Sequence, residues 1–309
     1  MDLDILLQQI LNGLVLGSVY ALVALGYTMV YGILQLINFA HGDVLMVGAM
    51  VAVWMVPYLL GTGLPGPLVL VIALAAAILV CVPLSLFIER VAYRPLRNAP
   101  RLAPLITAIG VSIVIQTMAM IIWSPNPRVF PDLLPTTPIE IGGALLAPKQ
   151  ALILVVSAVM MVGLMLLVNR TKLGRAMRAT AENPRIAGLM GVNANLVIAA
   201  TFAIGAALAA VAGVLVAMNY NIAQFSMGFI PGLKAFTAAV LGGIGNLAGA
   251  VVGGLLLGII ESLGAGYIGD LTGGFLGSHY QDIFAFVVLI VVLVFRPSGI
   301  MGERVADRA

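Results

Sequence analysis

The fold class of this chain follows from a long charge-free stretch, residues 44–88, which reads VLMVGAMVAVWMVPYLLGTGLPGPLVLVIALAAAILVCVPLSLFI. A helix that crosses a bilayer needs about 20 apolar residues, so this stretch holds two helices with a turn near GTGLPGP (61–67). The rest of the chain is similar, because 62% of its 309 residues are hydrophobic and 9% are charged. The sequence therefore predicts an all-α polytopic membrane protein.

Further stretches also lack Asp, Glu, Lys and Arg, and each is long enough for a membrane span. They are residues 5–42, 102–127, 150–169, 186–233 and 235–260. A last span is expected at 276–295, with Asp282 near its outer end. With two helices in 44–88, and with 235–260 assigned to the hairpin described below, these stretches predict about seven conventional transmembrane helices.

The basic residues predict how the chain is oriented. Twelve of the 15 lie in three regions: Arg90, Arg94, Arg97 and Arg101; Arg170, Lys172, Arg175, Arg178 and Arg185; Arg296, Arg304 and Arg308. Because basic loops stay in the cytoplasm, we expect these regions and the C-terminus inside. The N-terminus and the loops 124–149, 219–232 and 265–281 are then outside. The net charge of +3 comes from these loops and does not indicate nucleic-acid binding.

The segment 233–264 must cross the membrane an even number of times, because its two flanking loops are both expected outside. Two full spans barely fit in it. A helical hairpin broken at GGIGN (242–246) fits better, since glycine and asparagine suit backbone that leaves helical geometry. We expect this broken hairpin in addition to the seven conventional helices, within one transmembrane domain over residues 1–309.

Two Gly-rich segments, one in each half of the chain, share the pattern Asn-x-Ala: INFAHGDVLMVG (37–48) and GNLAG (245–249). Short, Gly-interrupted apolar segments in corresponding halves of a membrane protein indicate a translocation path. The candidate path residues are Asn38, His41, Asp43, Asn246 and Glu261. Two alternatives stay open: residues 37–43 form a surface loop, and Glu261 lies near the outer surface, where a carboxylate is inexpensive.

The segment KLGRAMRATAENPRIAGLMGVN (172–193) reads as two short helices in a cytoplasmic loop of about 170–194. The first is expected from about Leu173 to Glu182, with Arg178 one turn before Glu182 and able to pair with it. Asn183 is expected to cap the second helix, with a proline at the first helical position.

The second short helix presents an apolar face formed by Ile186, Leu189 and Met190, and Gly191 suits its C-terminal left-handed position. A helix of two turns is unstable alone. Its apolar face either docks on a partner protein or lies on the bilayer beside basic residues that face lipid head groups.

The order of these features resembles the integral permease subunit of branched-chain amino acid ABC importers, the LIV-H type, over almost the whole chain. The segments that carry the resemblance are LGSVYALVALGYTMVYGILQLINFAHGDVLMVGA (16–49), IERVAYRPLR (88–97), LITAIGVSIVIQ (105–116), GRAMRATAEN (174–183) and KAFTAAVLGGIGNLAGAVVGGLLLGIIE (234–261).

The resemblance implies import of leucine, isoleucine or valine across the bacterial inner membrane. It also implies partners: two ATP-binding subunits, a second permease, identical or homologous, and a periplasmic amino-acid-binding protein. The loop that corresponds to 174–191 docks into an ATP-binding subunit in that family. The coupling residues that the resemblance implies here are Arg175, Ala179, Glu182, Asn183 and Gly191.

The sequence contains neither an ATP-binding motif nor a recognisable group of catalytic residues. A phosphate-binding P-loop needs Gly-Lys followed by Ser or Thr, whereas Lys149, Lys172 and Lys234 are followed by Gln, Leu and Ala. The single Cys81 excludes an intrachain disulfide, and two histidines are too few for a metal enzyme. We expect a non-catalytic subunit without a cofactor, with ATP bound by its partners.

The alternative is a self-sufficient channel or facilitator for small polar solutes such as urea or amides. Its two Asn-x-Ala breaks resemble the paired half-helices of water and glycerol channels, although the proline of that signature is missing here. A proton- or sodium-coupled carrier is a further option, but it would need more buried acids.

Overall fold

The computed structural model describes residues 3–97, 99–100, 102–272 and 281–302 of the chain. Its α-helices are α1 (Leu3–Leu34), α2 (His41–Gly61), α3 (Gly66–Ile88), α4 (Leu102–Trp123), α5 (Pro148–Arg170), α6 (Lys172–Glu182), α7 (Pro184–Leu189), α8 (Ala194–Tyr220), α9 (Phe229–Gly242), α10 (Leu247–Leu271) and α11 (Gln281–Phe295). A π-helical turn (Glu89–Tyr93) and a 3₁₀ turn (Arg94–Leu96) extend α3.

Seven of the described helices are long and apolar enough to cross a membrane, namely α1 to α5, α8 and α10. The predicted helical membrane fold is confirmed, and so is the turn between α2 and α3. There Gly63 adopts φ +77°, and proline stands in the first turn of α3, where its missing N–H leaves no bond unmade.

The seven helices that could cross a membrane differ from the predicted seven at the C-terminal end of the chain. Helix α10 continues to Leu271, so residues 265–271 of the expected outer loop are helical. Helix α11 has 15 residues and belongs to the shorter apolar helices. The last span was expected to begin at 276, and residues 276–280 lie outside the described part of the chain.

Four short strands lie at the end of the bundle where α1 begins, which is called the strand face below. They form two antiparallel pairs: β1 (Arg128–Val129) with β4 (Ile222–Ala223), and β2 (Ile139–Ile141) with β3 (Ala144–Leu146). The side chain of Gln8 binds both the N–H and the carbonyl of Leu145, at 2.8 and 3.1 Å, which ties the β2–β3 hairpin to α1. The opposite end, where α5 is followed by α6 and α7, is called the α6–α7 face.

Helices α1 and α10 cross the bundle side by side in antiparallel order, and glycine forms much of their contact. A Cβ on Gly17 would lie 2.8 Å from the carbonyl oxygen of Gly254, and a Cβ on Gly13 would lie 2.6 Å from the Cα of Ile259. In lipid, helices associate through such close packing rather than through the hydrophobic effect. These glycines therefore hold α10 against the centre of the fold.

The hairpin break expected at GGIGN is confirmed, because α9 ends at Gly242 and α10 begins at Leu247. Gly243 and Gly245 adopt φ of +105° and +100°, which L side chains rarely adopt. The hairpin is asymmetric: α9 has 14 residues, about 21 Å, against a hydrocarbon core of about 30 Å, whereas α10 has 25 residues.

Residues 221–228 return from the strand face into the bundle before α9 begins. The carbonyl oxygen of Gly228 is so near α2 that a Cβ on Gly42 would lie 2.5 Å from it, and Gly228 and Gly232 are both buried. Residues 219–232 were expected outside, and within this range Gly228 and Gly232 pack against α2. Non-helical backbone at such depth persists only where protein or water satisfies it.

Candidate functional site

Helix α2 begins inside the bundle, after a break at residues 35–40. The His41 ring, in its first turn, lies against Gly26 and meets Tyr27 edge-on, with 4.9 Å between ring centroids. Gly26 precedes the last residue of α1 by eight residues, about 12 Å along the helix. His41 is therefore a buried packing residue at depth, at the start of a discontinuous helix.

Asn38, in the break itself, is buried and held by a tyrosine. The Tyr93 hydroxyl donates a hydrogen bond of 2.9 Å to Asn38 Oδ1, and the Tyr93 ring packs on Phe202 of α8 with 5.5 Å between centroids. Tyr93 ends the π-helical turn, a distortion that recurs at functional sites. Asn38 thus fixes the break between α1 and α2.

The same π-helical turn begins with Glu89, a buried acid. Glu89 pairs with Arg97, and Arg97 also donates a hydrogen bond of 2.6 Å to Asn195 Oδ1 at the start of α8. The pair therefore joins the end of α3 to α8 at the α6–α7 face. The sequence alone places Arg97 only in a basic loop.

Asp43 lies in the first turn of α2, 2% exposed, beside α4. Its Oδ1 accepts a hydrogen bond of 2.8 Å from Gln116 Nε2, and Gln116 also contacts the Ser112 hydroxyl at 3.3 Å. A cavity of about 80 Å³ adjoins Asp43 and lies between α2, α4 and the first turn of α9. Its walls are mainly apolar, with Ile109 and Phe229 among them.

Glu261, on α10, is 1% exposed and paired with a lysine. Lys234 Nζ, from α9, lies 2.6 Å from Glu261 Oε1 and 2.7 Å from Asp282 Oδ1 of α11. The Tyr20 hydroxyl of α1 donates to Glu261 Oε2 at 3.1 Å. The structure thus buries Glu261 between α1 and α9.

Four residues of these sites were not predicted from the sequence: Lys234, Tyr20, Gln116 and Ser112. A signal for Lys234 was present, because it is the single charge between two charge-free stretches, 186–233 and 235–260. An isolated charge in such a setting needs a buried partner. The two polar residues of α4 carried no comparable signal.

Asn246 is not brought together with the Asp43 cavity. Its Oδ1 accepts from Gly249 N–H at 3.1 Å as the N-cap of α10, and its Nδ2 donates to the carbonyl of Met301 at 2.9 Å. Gly245, next to it, lies against Gly32 near the end of α1. Both Asn-x-Ala breaks therefore lie toward the α6–α7 face, and they do not approach each other from opposite faces as channel half-helices do.

Helices α6 and α7 match the prediction closely. Helix α6 runs from Lys172 to Glu182, and Asn183 Oδ1 accepts from the N–H groups of Arg185 and Ile186 at 3.0 and 3.1 Å. Gly191 adopts φ +85°, as expected for a left-handed position. The caps that the sequence predicts are confirmed.

One predicted contact in this segment is wrong. Arg178 does not pair with Glu182; its guanidinium donates instead to the carbonyl of Val168, at 2.5 Å, at the end of α5. An unpaired carbonyl at a helix C-terminus is a strong acceptor for a cation. The bond therefore ties α6 back to α5.

The coupling candidates share the outward side of this segment. The inward side of α6 is buried through Gly174, Met177 and Thr180. The outward residues are exposed: Arg175, Ala179, Glu182, Asn183 and Gly191. Beside them Leu189 and Met190 are 84% and 80% exposed, so the apolar face of α7 has no partner within the described residues.

Within residues 3–97, 99–100, 102–272 and 281–302, no three His, Cys, Asp or Glu side chains come together in a way that would hold a metal ion. Cys81 is buried, and its thiol lies 3.3 Å from the carbonyl oxygen of Val44.

Comparison with known proteins places this arrangement in context. Residues 9–293 match a family described as the permease component of the branched-chain amino acid transport system. The chain is 49% identical to the high-affinity branched-chain amino acid transport system permease protein BraD of Pseudomonas aeruginosa, with 98% of this chain and 97% of that protein covered. It is 44% identical to LivH of Escherichia coli, another protein of that description, over the same shares of both chains. A probable LivH of Methanocaldococcus jannaschii is 29% identical over 96% of this chain and 92% of that protein.

Proposed function

This chain belongs to the family of branched-chain amino acid transport permeases, and we propose that it is the membrane-spanning subunit of an ATP-driven importer of leucine, isoleucine and valine. The observation that carries the proposal is the identity of 49% with a permease of that description over 98% of the chain. The proposed location is the bacterial inner membrane.

The proposed assembly contains two ATP-binding subunits, a second permease subunit and a periplasmic amino-acid-binding protein. It is supported by the sequence, in which none of the three lysines stands in a P-loop. In this assembly the partners bind and hydrolyse ATP, and the present chain, without a cofactor or catalytic residue, forms the path for the solute.

The proposed contact with an ATP-binding subunit is the outward side of α6 and α7. It is supported by the exposed Leu189 and Met190 and by the length of α7, which has six residues and is too short to be stable without a partner. Within the bundle, α6 adjoins a cavity that Arg178 lines together with Gly245 and Leu247. We therefore expect a displacement of α6 to be transmitted to the turn between α9 and α10.

The strand face supplies the corresponding contact on the other side. The pairing of β1 with β4 joins the loop after α4 to residues 222–223, which lead into α9. A binding protein on the loop 124–147 would act on the first turn of α9 through this ribbon. The two ends of α9 are thus connected to the two proposed docking surfaces, which suits alternating access.

The solute path is proposed along the start of α2, where α9 also begins. The candidates Asn38, His41 and Asp43 lie there, and Glu261 lies beside α9 through its bond to Lys234. Discontinuous helices that begin at membrane depth are typical of solute sites in transporters. Asn246 is kept as a residue that shapes the turn at the α6–α7 face.

The proposal is tested with the tagged chain, purified from its own membrane with its partners and reconstituted into vesicles. We expect ATP-dependent uptake of labelled leucine. A homo-oligomer that admits urea or amides without ATP, and contains no ATP-binding subunit, would overturn the proposal in favour of a channel.

The coupling surface is tested with Glu182→Lys and Gly191→Arg. We expect both variants to insert normally and to lose leucine uptake, because each places a bulky cation on the proposed contact. The matched control is Gly61→Arg, which makes the same change as Gly191→Arg on an exposed glycine outside both proposed docking surfaces. Full ATP-driven uptake by either coupling variant would contradict the assigned contact.

A further inference from the structure

The described part of the chain buries three carboxylates inside the helical bundle, and they differ in one respect. Glu89 is paired with Arg97, and Glu261 is paired with Lys234. Asp43 is as deeply buried as the other two, yet no ion pair of the described residues includes it. A buried carboxylate without a cation is unfavourable in a low-dielectric interior.

Among the described residues, those around Asp43 supply neutral donors rather than a cation. Gln116 donates to it from α4, and α1 contributes Tyr27 to the cavity wall. Lys234, on α9, directly follows the cavity-lining residue Leu233. Its ammonium group is held between Glu261 and Asp282. Asp43 lies in the first turn of α2, where the helix dipole favours a negative charge.

We infer that the cavity beside Asp43 holds the ammonium group of the transported amino acid, with Gln116 and Ser112 orienting the carboxylate that receives it. This inference rests on the proposed function. The ammonium supplies the positive charge that Arg97 and Lys234 supply at the other two acids, so the site is complete only with its solute.

The size and the lining of the cavity agree with this assignment. Its volume of about 80 Å³ suits a small cationic group and is well below the roughly 300–1,000 Å³ of pockets that enclose whole ligands. The branched side chain of the solute therefore lies along the open side. Ile109 and Phe229, both on that side, are 48% and 59% exposed and apolar.

The start of α9 forms another wall of the cavity, through Phe229, Gly232 and Leu233. The close approach of Gly42 to Gly228 and Gly232 sets the distance between the two helix starts.

The test measures how solutes protect a thiol placed in the cavity. Ser112→Cys is introduced into the reconstituted complex and labelled with a methanethiosulfonate reagent; Cys81 is buried, so the unmodified chain gives the background rate. The matched control is Thr117→Cys, on the exposed side of the same helix. The probes are leucine, isoamylamine, which lacks the carboxylate, and isocaproate, which lacks the amine.

We expect leucine and isoamylamine to slow the labelling of the Ser112→Cys variant several-fold, and isocaproate to leave its labelling rate unchanged. The protection should disappear when Asp43→Asn is added, and Thr117→Cys should show none. Equal protection by isocaproate, protection that survives Asp43→Asn, or equal protection by sodium ions alone would overturn the inference.

Uptake by the complex separates this inference from the proposed function. Asp43→Asn should lower ATP-driven leucine uptake about tenfold or more, because a charged partner is lost, and Asp43→Glu should recover part of it. If the unmodified complex imports no leucine, the proposed function fails. If it imports leucine and Asp43→Asn imports it equally well, only the ammonium subsite fails.

Discussion

Two acids in the middle of this membrane protein, Glu261 and Asp43, are buried equally and held in opposite ways. Glu261 is bonded to Lys234 and to the Tyr20 hydroxyl, and Lys234 also pairs with Asp282, so that four helices meet at one ion-paired cluster. Asp43 has the neutral Gln116 and an adjoining cavity. The first site is complete in the protein alone, and the second is complete only with a cation from outside.

The difference indicates which site serves stability and which serves function. A buried ion pair whose partners are also hydrogen-bonded fixes helices in one arrangement, and removing one partner leaves an uncompensated charge. A buried acid without a cation lowers stability and is retained where it binds something. The free energy of unfolding of single variants therefore distinguishes the two sites.

The largest effect is expected for Lys234→Met. This variant leaves Glu261 and Asp282 without a cation, and the free energy of unfolding should fall by about 3–5 kcal/mol. Denaturant unfolding of the purified chain in detergent measures it.

The control for this variant replaces the whole pair. Lys234→Met combined with Glu261→Leu should regain most of the stability, because a buried pair exchanged for apolar residues is often neutral. Unchanged stability in the single variant would show that the Glu261 site is not a structural lock.

A smaller loss is expected for Gly42→Ala, beside Asp43. The new Cβ would lie 2.5 Å from the carbonyl oxygen of Gly228, and such overpacking costs about 1–3 kcal/mol. Thermal unfolding together with leucine uptake measures it. Gly110→Ala on α4, which meets open space, is the control and should be near neutral. Equal effects of the two variants would mean that the spacing of α2 and α9 is unimportant.

Glu89→Gln tests how much stability comes from an ion pair that is partly exposed to solvent. The loss of stability is expected to be smaller than that of Lys234→Met. Arg97 keeps Asn195 as a partner and is 19% exposed, so the loss should be about 1.5 kcal/mol, near the lower limit for bonds to charged groups. Glu140→Gln, on the exposed β2 strand, serves as the comparison in the same unfolding assay. A loss of stability as large as that of Lys234→Met would show that partial solvent exposure does not weaken this ion pair.

The smallest effect, and the one of opposite sign, is expected for Asp43→Asn. Without solute, the removal of an unpaired buried charge should raise the free energy of unfolding by about 1 kcal/mol. Differential scanning calorimetry of the solute-free complex measures the change in stability. A fall of several kcal/mol would show that Asp43 is a structural residue, and the contrast with Glu261 would then be lost.

The parts of the molecule that depend on local chemistry could be predicted from the sequence. The caps of α7 follow from Asn183, Pro184 and Gly191, since each acts on backbone within a few residues. The break at GGIGN follows from glycines at positive φ for the same reason. The chemistry of the coupling segment is thus readable, although its partner is a proposal.

The parts that depend on contacts between distant residues could not be predicted. Lys234 and Glu261 meet because the hairpin folds at residues 243–246 with a particular register, and Gln116 reaches Asp43 from another helix. The depth at which α9 begins was missed because residues 221–228 carry no charge to mark the surface. Arg178 was assigned to Glu182 by spacing, but the carbonyl at the end of α5 competes successfully for it.

The shortness of α9 bears on how the chain is made. With 14 residues and a lysine in its middle, α9 is a poor substrate for the insertion machinery, since a lysine at the centre of a helix opposes insertion by about 2.5–3.5 kcal/mol. Glu261, the partner that neutralises Lys234, leaves the ribosome 27 residues later. Helix α9 is therefore expected to stay at the translocon until α10 has been synthesised. The two helices would then enter the lipid together, with Lys234 already paired with Glu261.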